Sequence, residues 1–405
     1  MVDADMSFRN QSAFRAEDLP RARGVKTSIS ILPLSNLNVY AELARAGVHA
    51  PPQHPLWLEE WIANVSPDGF LTTIDCEGAP ACALALEIVK SGPFHIARFI
   101  GGSHANGNFP VSARSFLGSG TLDMAALVSA IRSQRPRVDA LVLERLLPDL
   151  EGLANPLGTI EHVTSPNVAL AVDLNGGFEA LLERASGKRK RKKRRAQLRK
   201  YEAAGGFRRI EASTTVEVDR LLDAFFAMKA GRFQKMGISN VFGDVEIQNF
   251  FRSLFRDALL EPTPPFQLHA LEVGGKLRAV TASSLRGKRI ICDFAAIAED
   301  DLISTSPGEF LFFENLQAAC AAGFEIYDFS VGDEPYKRQW CDIETNHFDI
   351  VLPVSPKGRL LAVALKSQAS VKAYVKNNST LWNLVKRLRQ AASGKQNTES
   401  PSHED

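Results

Sequence analysis

The chain has 405 residues, 45% hydrophobic and 23% charged, which fits an ordinary globular protein of two domains or one large one. No stretch approaches the roughly 18 to 20 uninterrupted apolar residues of a membrane span, and the start MVDADMSFRNQSAFRAEDLPRARG lacks the apolar core of a secretion signal, so a cytoplasmic location is expected. The net charge of +2 hides an asymmetry: KRKRKKRRAQLRK, Lys188 to Lys200, holds 10 of the 48 basic residues and no acid, while the other 38 bases face 46 acids.

The first 26 residues are polar and aperiodic and are expected to be disordered, as is the tail 393–405. A first unit, 27–174, opens with the alternating SISIL and a helix, NLNVYAELARAG, stopped by Gly47. HPLWLEEWIANV follows, with Leu56, Trp57, Trp61 and Val65 on about one helical face. Strand-like runs come next at GFLTTID, CALALEIVK and FHIARFIG, then a helix at LDMAALVSAIRS and strands at DALVLERL and NVALAVDL.

A second unit, 175–360, repeats that order. GFEALLERA and the basic run are helical, GFRRIEAS is a strand, and two amphipathic helices lead into FQLHALEV, LRAVTASSL and RIICDFAAI. The first two of these strands are joined by the hairpin dipeptide Gly274-Gly275. A helix then starts at STSPGEF, with Ser306 as N-cap and Pro307 at its first position, and stops at Gly323. FEIYDFSVG and HFDIVLPV close the unit as strands, and 361–392 reads as a further helical segment. A mixed α/β sheet architecture follows from this order.

The motif search is negative for a dinucleotide fingerprint, a Walker loop, HExxH and a GxSxG elbow. Five cysteines without a CxxC pair and eight unpaired histidines give no metal site, so no metal is expected. The loop IGGSHANGNF reads as a turn between strands, or as a place where His104 or Asn106 touches a ligand. The basic run has two readings. It is either a solvated surface helix anchored by Leu198 and Tyr201, or an anion and acceptor site built from Lys188, Arg189, Arg191, Lys192 and Arg195. It lacks the aromatic interleaving of a sequence-specific nucleic-acid reader.

From Phe178 to Val354 the sequence resembles GNAT-superfamily acyltransferases of the CelD type, relatives of the FemAB aminoacyltransferases. The resemblance is carried by LHALEVGGKLRAV, by SPGEFLFFENLQAACAAGFEIYDFSVGDEPYKRQW with its D-F-S-x-G-D-E-x-Y-K-x-x-W element, and by the basic helix closed by glycine. HPLWLEEW extends it into the first unit. It implies a tandem of two GNAT-like folds with a cleft between them, and acyl transfer from a thioester, most often acetyl-CoA, to an amine or hydroxyl. The implied donor site is the fourth strand of the unit, at Ala296, Ile297 and Ala298, with the helix start at Ser306, Gly308 and Glu309. A helix N-terminus suits a pyrophosphate. The usual R/Q-x-x-G-x-G/A loop is replaced by LISTSPGE, and FemAB relatives take aminoacyl-tRNA in place of CoA.

Attack by an amine on a thioester needs a base and oxyanion donors. Tyr336-Lys337 followed by Trp340 resembles the Phe-Lys-x-x-Phe element of FemAB-type transfer centres, which singles out Lys337 as a cation at the oxyanion or at an anionic acceptor. Asp333 or Glu334 is then the base or the group that orients Lys337, Tyr336 bonds either partner, and Asp293 on RIICDFAAI is a further candidate base. The acceptor expected is polar and, where the basic helix serves it, anionic, such as a polysaccharide or envelope precursor. The competing reading is a catalytically idle module that binds a polysaccharide-synthesis complex or an anionic membrane surface through the basic helix and the amphipathic LWNLVKRLRQAA.

Overall fold

The computed structural model describes residues 27–117 and 122–365. The expected terminal segments 1–26 and 393–405, and LWNLVKRLRQAA within 361–392, lie outside them. The first part of the chain forms β1 (Thr27–Pro33), α1 (Leu37–Ala46), α2 (Pro55–Val65), β2 (Gly69–Cys76), β3 (Ala79–Ser91) and β4 (Phe94–Phe99). It continues through β5 (Val111–Ser112), α3 (Arg114–Leu117), α4 (Met124–Gln134), β6 (Ala140–Leu146), the small hairpin β7 (Asp149–Leu150) and β8 (Leu153–Ala154), and β9 (Val163–Asp173).

The second part forms α5 (Gly177–Arg184), α6 (Gly187–Ala203), β10 (Phe207–Glu211), α7 (Thr215–Met236), α8 (Val245–Ala258), β11 (Phe266–Val273), β12 (Lys276–Arg286) and β13 (Arg289–Ile297). After it come α9 (Pro307–Ala321), β14 (Ile326–Val331), the single turn α10 (Pro335–Arg338) and β15 (Ile343–Pro353). The order from β10 onward is the one the hydrophobic periodicity gives.

One mixed sheet runs through both parts in the order β1-β2-β3-β4-β6-β15-β9-β14-β13-β12-β11-β10. Its halves are related: each is an antiparallel meander that ends in a parallel pair, β4 with β6 and β13 with β14. The middle is an exchange. β9, from the first part of the chain, pairs with β14, while β15, the last strand, is inserted between β6 and β9. Each half-sheet is therefore completed next to a strand contributed by the other, so neither can expose that edge without losing a ladder of buried hydrogen bonds.

The helices also join the halves. On α8 the apolar residues Phe250, Phe251, Leu254, Phe255 and Ala258 recur at helical spacing and are buried. Against them α2 sets Trp57 and Trp61, each ring 4.9 Å from that of Phe250 in an edge-on geometry. Such pairs add about 0.5–1.5 kcal/mol each beyond the area they bury. Trp61 also donates to Glu87 at 3.0 Å, and Arg98 holds the other oxygen of that buried carboxylate at 2.8 Å. Both indoles thus knit the first half to the second.

Three histidines lie along this junction. His49 is buried beside Arg286 of β12, His54 packs edge-on to it and to Phe266, and His104 sits among Trp61, Phe242 and Phe251. Burial, reinforced by nearby arginines, pushes His49 down to about 3 and both His54 and His104 down to about 4. Their unfolded forms bind protons near pH 6.5, so the stability they contribute is complete above that pH and is lost as the pH falls towards 4. Calorimetric melting between pH 7.5 and 4.5 should show Tm falling by on the order of 5 °C or more, with a shallower slope in His49→Gln.

Candidate active site

The parallel pair β13 and β14 is short. It holds over Arg289, Ile290 and Ile291 opposite Ile326, Tyr327 and Asp328, and then the strands part. A cleft of about 720 Å³ opens where they separate. Its walls are the free edge of β13 from Cys292 to Ile297, the first turns of α9, the end of β14 with α10, and α7, and Asn106 reaches it from the first half of the chain.

Along β13 the cleft edge is set by backbone alternation. The N–H of Ala298 donates to Arg278 on β12 at 2.9 Å, so the groups of Ala296 face β12 as well. Ala295 and Ile297 then turn their N–H and C=O groups towards the cleft. Of the three residues expected to meet a donor, Ile297 turns its backbone to the cleft, as Ala295 does, while Ala296 lines the cleft with its backbone groups facing β12 and Ala298 is bonded to β12. Asp293 is an extra residue in the ladder: Ala282 pairs with Phe294 and Ser283 with Cys292, which leaves Asp293 in a bulge. The bulge aims its carboxyl at the cleft, where Ser284 donates to it at 3.1 Å. Burial raises this carboxyl to about 8, with the Asp328 charge adding to the effect. Cys292 beside it is a buried thiol pushed up to about 12 and is not ionised at neutral pH.

The start of α9 lies against the same edge. Gly308 permits the contact, since a Cβ there would come within 2.8 Å of the Ile297 side chain. Ser306 occupies the N-cap position in a left-handed conformation without a capping hydrogen bond from its side chain. The approach is fixed from behind by α6. Gln197 donates to the carbonyl of Thr305 at 2.6 Å, and the buried Tyr201 hydroxyl bonds the Thr305 hydroxyl at 2.9 Å. Lys193 reaches the Glu309 carboxylate at 2.6 Å, and Arg194 grips Glu314 through two bonds of 2.9 and 2.7 Å while lying over the Phe313 ring.

The basic run is therefore not simply a solvated face. Lys190, Gln197 and Tyr201 form a buried stripe, because the aromatic rings of Trp340 and Phe313 and the loop before α9 supply partners for the charged heads. Of the residues expected to bind an acceptor, Lys188, Arg189, Lys192 and Arg195 are exposed and outside the cleft, and Arg191 is paired with Glu179.

The YDFSVGDEPYKRQW segment supplies the opposite wall. Asp328 is buried, receives Arg289 at 3.1 and 3.0 Å, and accepts the N–H of Ser330 at 2.7 Å. Ser330 is held with φ +60, a conformation costly for a non-glycine residue. Lys337 is buried; its ammonium donates to the Val331 carbonyl at 3.0 Å and pairs with Glu334 at 2.9 Å, which leaves one N–H. Tyr336 lines the cleft and stacks on Phe312 at 5.5 Å, and its hydroxyl is pushed up by burial. Trp340 is packed under the loop against Phe313.

Lys337, Glu334, Tyr336 and Asp293 thus converge on one cavity, together with Ile297, Ser306, Gly308 and Glu309. Asp333 does not join them: it is paired with Arg338 and is not among the residues that line the cleft. Two cations were missed by sequence reasoning. Lys229 and Arg232 line the cleft from α7, and their i, i+3 spacing in FAMKAGRF is what any solvent-facing helix stripe would show. Lys229 is largely buried over the Phe225, Phe233 and Phe242 rings, and burial lowers its pKa. Among the described residues no group of three His, Cys, Asp or Glu could hold a metal, and no helix is long and apolar enough to cross a membrane.

Gly332 has φ +132, and a Cβ on it would lie 2.6 Å from the Glu334 carboxylate and 2.9 Å from the Lys337 ammonium. Gly332→Ala should displace that ion pair and cost about 1–3 kcal/mol of backbone strain, read as a lowered urea midpoint.

Residues 188–338 match the family model described as acetyltransferase (GNAT) domain. The crystal structure of FemX superposes with a TM-score of 0.54 at 11% identity, covering 80% of this chain and 97% of that one. A tandem GNAT protein from the clavulanic acid biosynthesis pathway gives 0.45 at 11% identity, covering 82% and 99%. L-PGS from Bacillus licheniformis gives 0.43 at 11% identity, covering 70% and 86%. No curated protein sequence matches significantly. The molecule is a mixed α/β protein with a tandem GNAT-like fold, and its residues 188–338 are similar to a GNAT-type acetyltransferase domain.

Proposed function

We propose that the protein transfers an acyl group from a thioester, acyl-CoA by preference, to an amine or hydroxyl of a polar acceptor, as the CelD-type resemblance of its sequence implies. The observation that carries this reading is the parting of β13 and β14, which leaves unpaired backbone groups at Ala295 and Ile297 beside the start of α9. An extended pantetheine amide can continue the ladder at that edge. The first N–H groups of α9 lack intrahelical partners and favour a pyrophosphate.

In this reading Asp293 is the general base. Its carboxylate takes a proton from the attacking amine as the C–N bond forms, and the C–S bond breaks with the thiolate leaving as a thiol once protonated. The remaining N–H of Lys337 supports the oxyanion of the tetrahedral intermediate, and Glu334 holds the ammonium in place. Lys229 and Arg232, across the cleft, favour an acceptor bearing a carboxylate or phosphate.

Lys337→Met should lower kcat by about 100-fold or more with Tm changed by no more than about 3 °C. An unaltered kcat for acetyl transfer would remove Lys337 from the mechanism. With Asp293 near 8, wild-type kcat/KM should rise with pH and level off above about 8, and Asp293→Asn should lose that rise along with about 100-fold or more of the rate. Transfer that requires aminoacyl-tRNA and ignores acyl-CoA would replace this reading by the tRNA-dependent one. Absence of acetyl-CoA binding by calorimetry, with salt-sensitive sedimentation on anionic vesicles, would replace it by the non-catalytic one.

A further inference from the structure

A second cavity, of about 310 Å³, lies behind the first turn of α9, between α6 and the residues that follow α10. Arg189, Lys190, Lys193, Glu309, Phe313 and Trp340 are among its walls. Lys190 gives it its character. The side chain is 8% exposed, its ammonium stands 4.1 Å over the Trp340 ring, and it donates to the Gln339 carbonyl at 2.8 Å.

Neither of those partners is a counter-charge. The carboxylate of the cavity, Glu309, is engaged by Lys193 at 2.6 Å, and Arg189 meets the neutral Gln339 side chain at 3.4 Å. Three cations around one carboxylate leave the cavity positive. A buried ammonium without an anion is costly: burial, with the charges of Arg189 and Lys193 opposed by Glu309, lowers Lys190 to about 8. An arriving anion would recover that cost. Three cationic donor groups, from Lys190, Lys193 and Arg189, line the cavity, which suits a tetrahedral dianion better than a planar carboxylate.

We propose that this cavity is a binding site for a phosphate monoester group, held by Lys190, Lys193 and Arg189, separate from the transfer cleft and joined to it through Glu309. The phosphate belongs either to a nucleotide-bearing donor that lies along the cleft or to a distinct phosphorylated ligand. The site itself does not depend on the acyl-transfer reading.

The test is calorimetric titration of the full chain with inorganic phosphate at constant ionic strength. Saturable binding is expected, weakened at least about ten-fold in both Lys190→Met and Lys193→Ala and tightened in Glu309→Gln. Wild-type binding should weaken between pH 7.5 and 9 more steeply than that of Lys190→Met, as Lys190 loses its proton. Binding that is absent, or unchanged in these variants, overturns the proposal; if Lys190→Met does not fold, the half-exposed Lys193 decides. A second titration separates the sources. If phosphate competes with acetyl-CoA, and a donor lacking the monoester binds less well to wild type but not to Lys190→Met, the donor supplies it. If phosphate and acetyl-CoA bind together, a distinct ligand does. Phosphate binding without any acetyl-CoA binding would leave this site standing and count against the acyl-CoA reading.

Discussion

The parting of β13 and β14 is the feature on which the functional architecture rests. Two parallel strands that stay paired bury their edges, whereas two that separate after three residue pairs leave N–H and C=O groups in want of a partner. The separation is held open from both sides. The close approach of Gly308 to Ile297 fixes one wall, and Asp328, bound by Arg289 and by the Ser330 backbone, fixes the other. The bulge at Asp293 sits at the fork itself, which is why a carboxyl on an otherwise apolar strand faces the cavity.

The first half of the sheet repeats this plan with a different outcome. Its parallel pair, β4 with β6, is also short, but beyond it Asn108 bridges to Leu146, receiving the Leu147 N–H at 3.0 Å and donating its own to Arg145 at 2.8 Å. There the chain itself fills the gap on the β6 side. The same loop then carries Asn106 to the rim of the open cleft, where Arg145 holds its side chain at 2.7 Å. The first half thus closes its own gap and helps to shape the other. The exchange of β9 and β15 makes this division of labour rigid, since it leaves the two halves no free edge at which to separate.

The basic helix α6 shows how much charge a packed element tolerates when partners are arranged for it. Exposed ion pairs such as Arg191 with Glu179 contribute little. The neutral contacts of Gln197 and Tyr201 with Thr305 are buried, and they set the position of the loop that starts α9. Arg194 and Lys190 lay their stems and charges over aromatic rings. A helix that looks like a polyanion tether in sequence is, on one face, the brace of the loop that starts α9.

By itself the sequence determined the order of helices and strands, since hydrophobic period and turn residues are local. It also determined the start of α9 at Ser306-Pro307 and the convergence of Tyr336 and Lys337 just past a buried strand. What only the tertiary structure decided is non-local. HFDIVLPV reads as a closing strand, yet as part of β15 it lies in the centre of the sheet, because strand pairing depends on edges that sequence neighbours do not reveal. GDEPYKRQW offers four acidic or basic groups to a reader of spacing; the fold pairs Asp333 with Arg338 and turns Lys337 in to Val331. Lys229 and Arg232 look like ordinary surface cations until α7 is laid across the fork of the sheet. Local periodicity fixes what each segment is. Which polar groups end up facing one another depends on how the two halves of the sheet share their central strands.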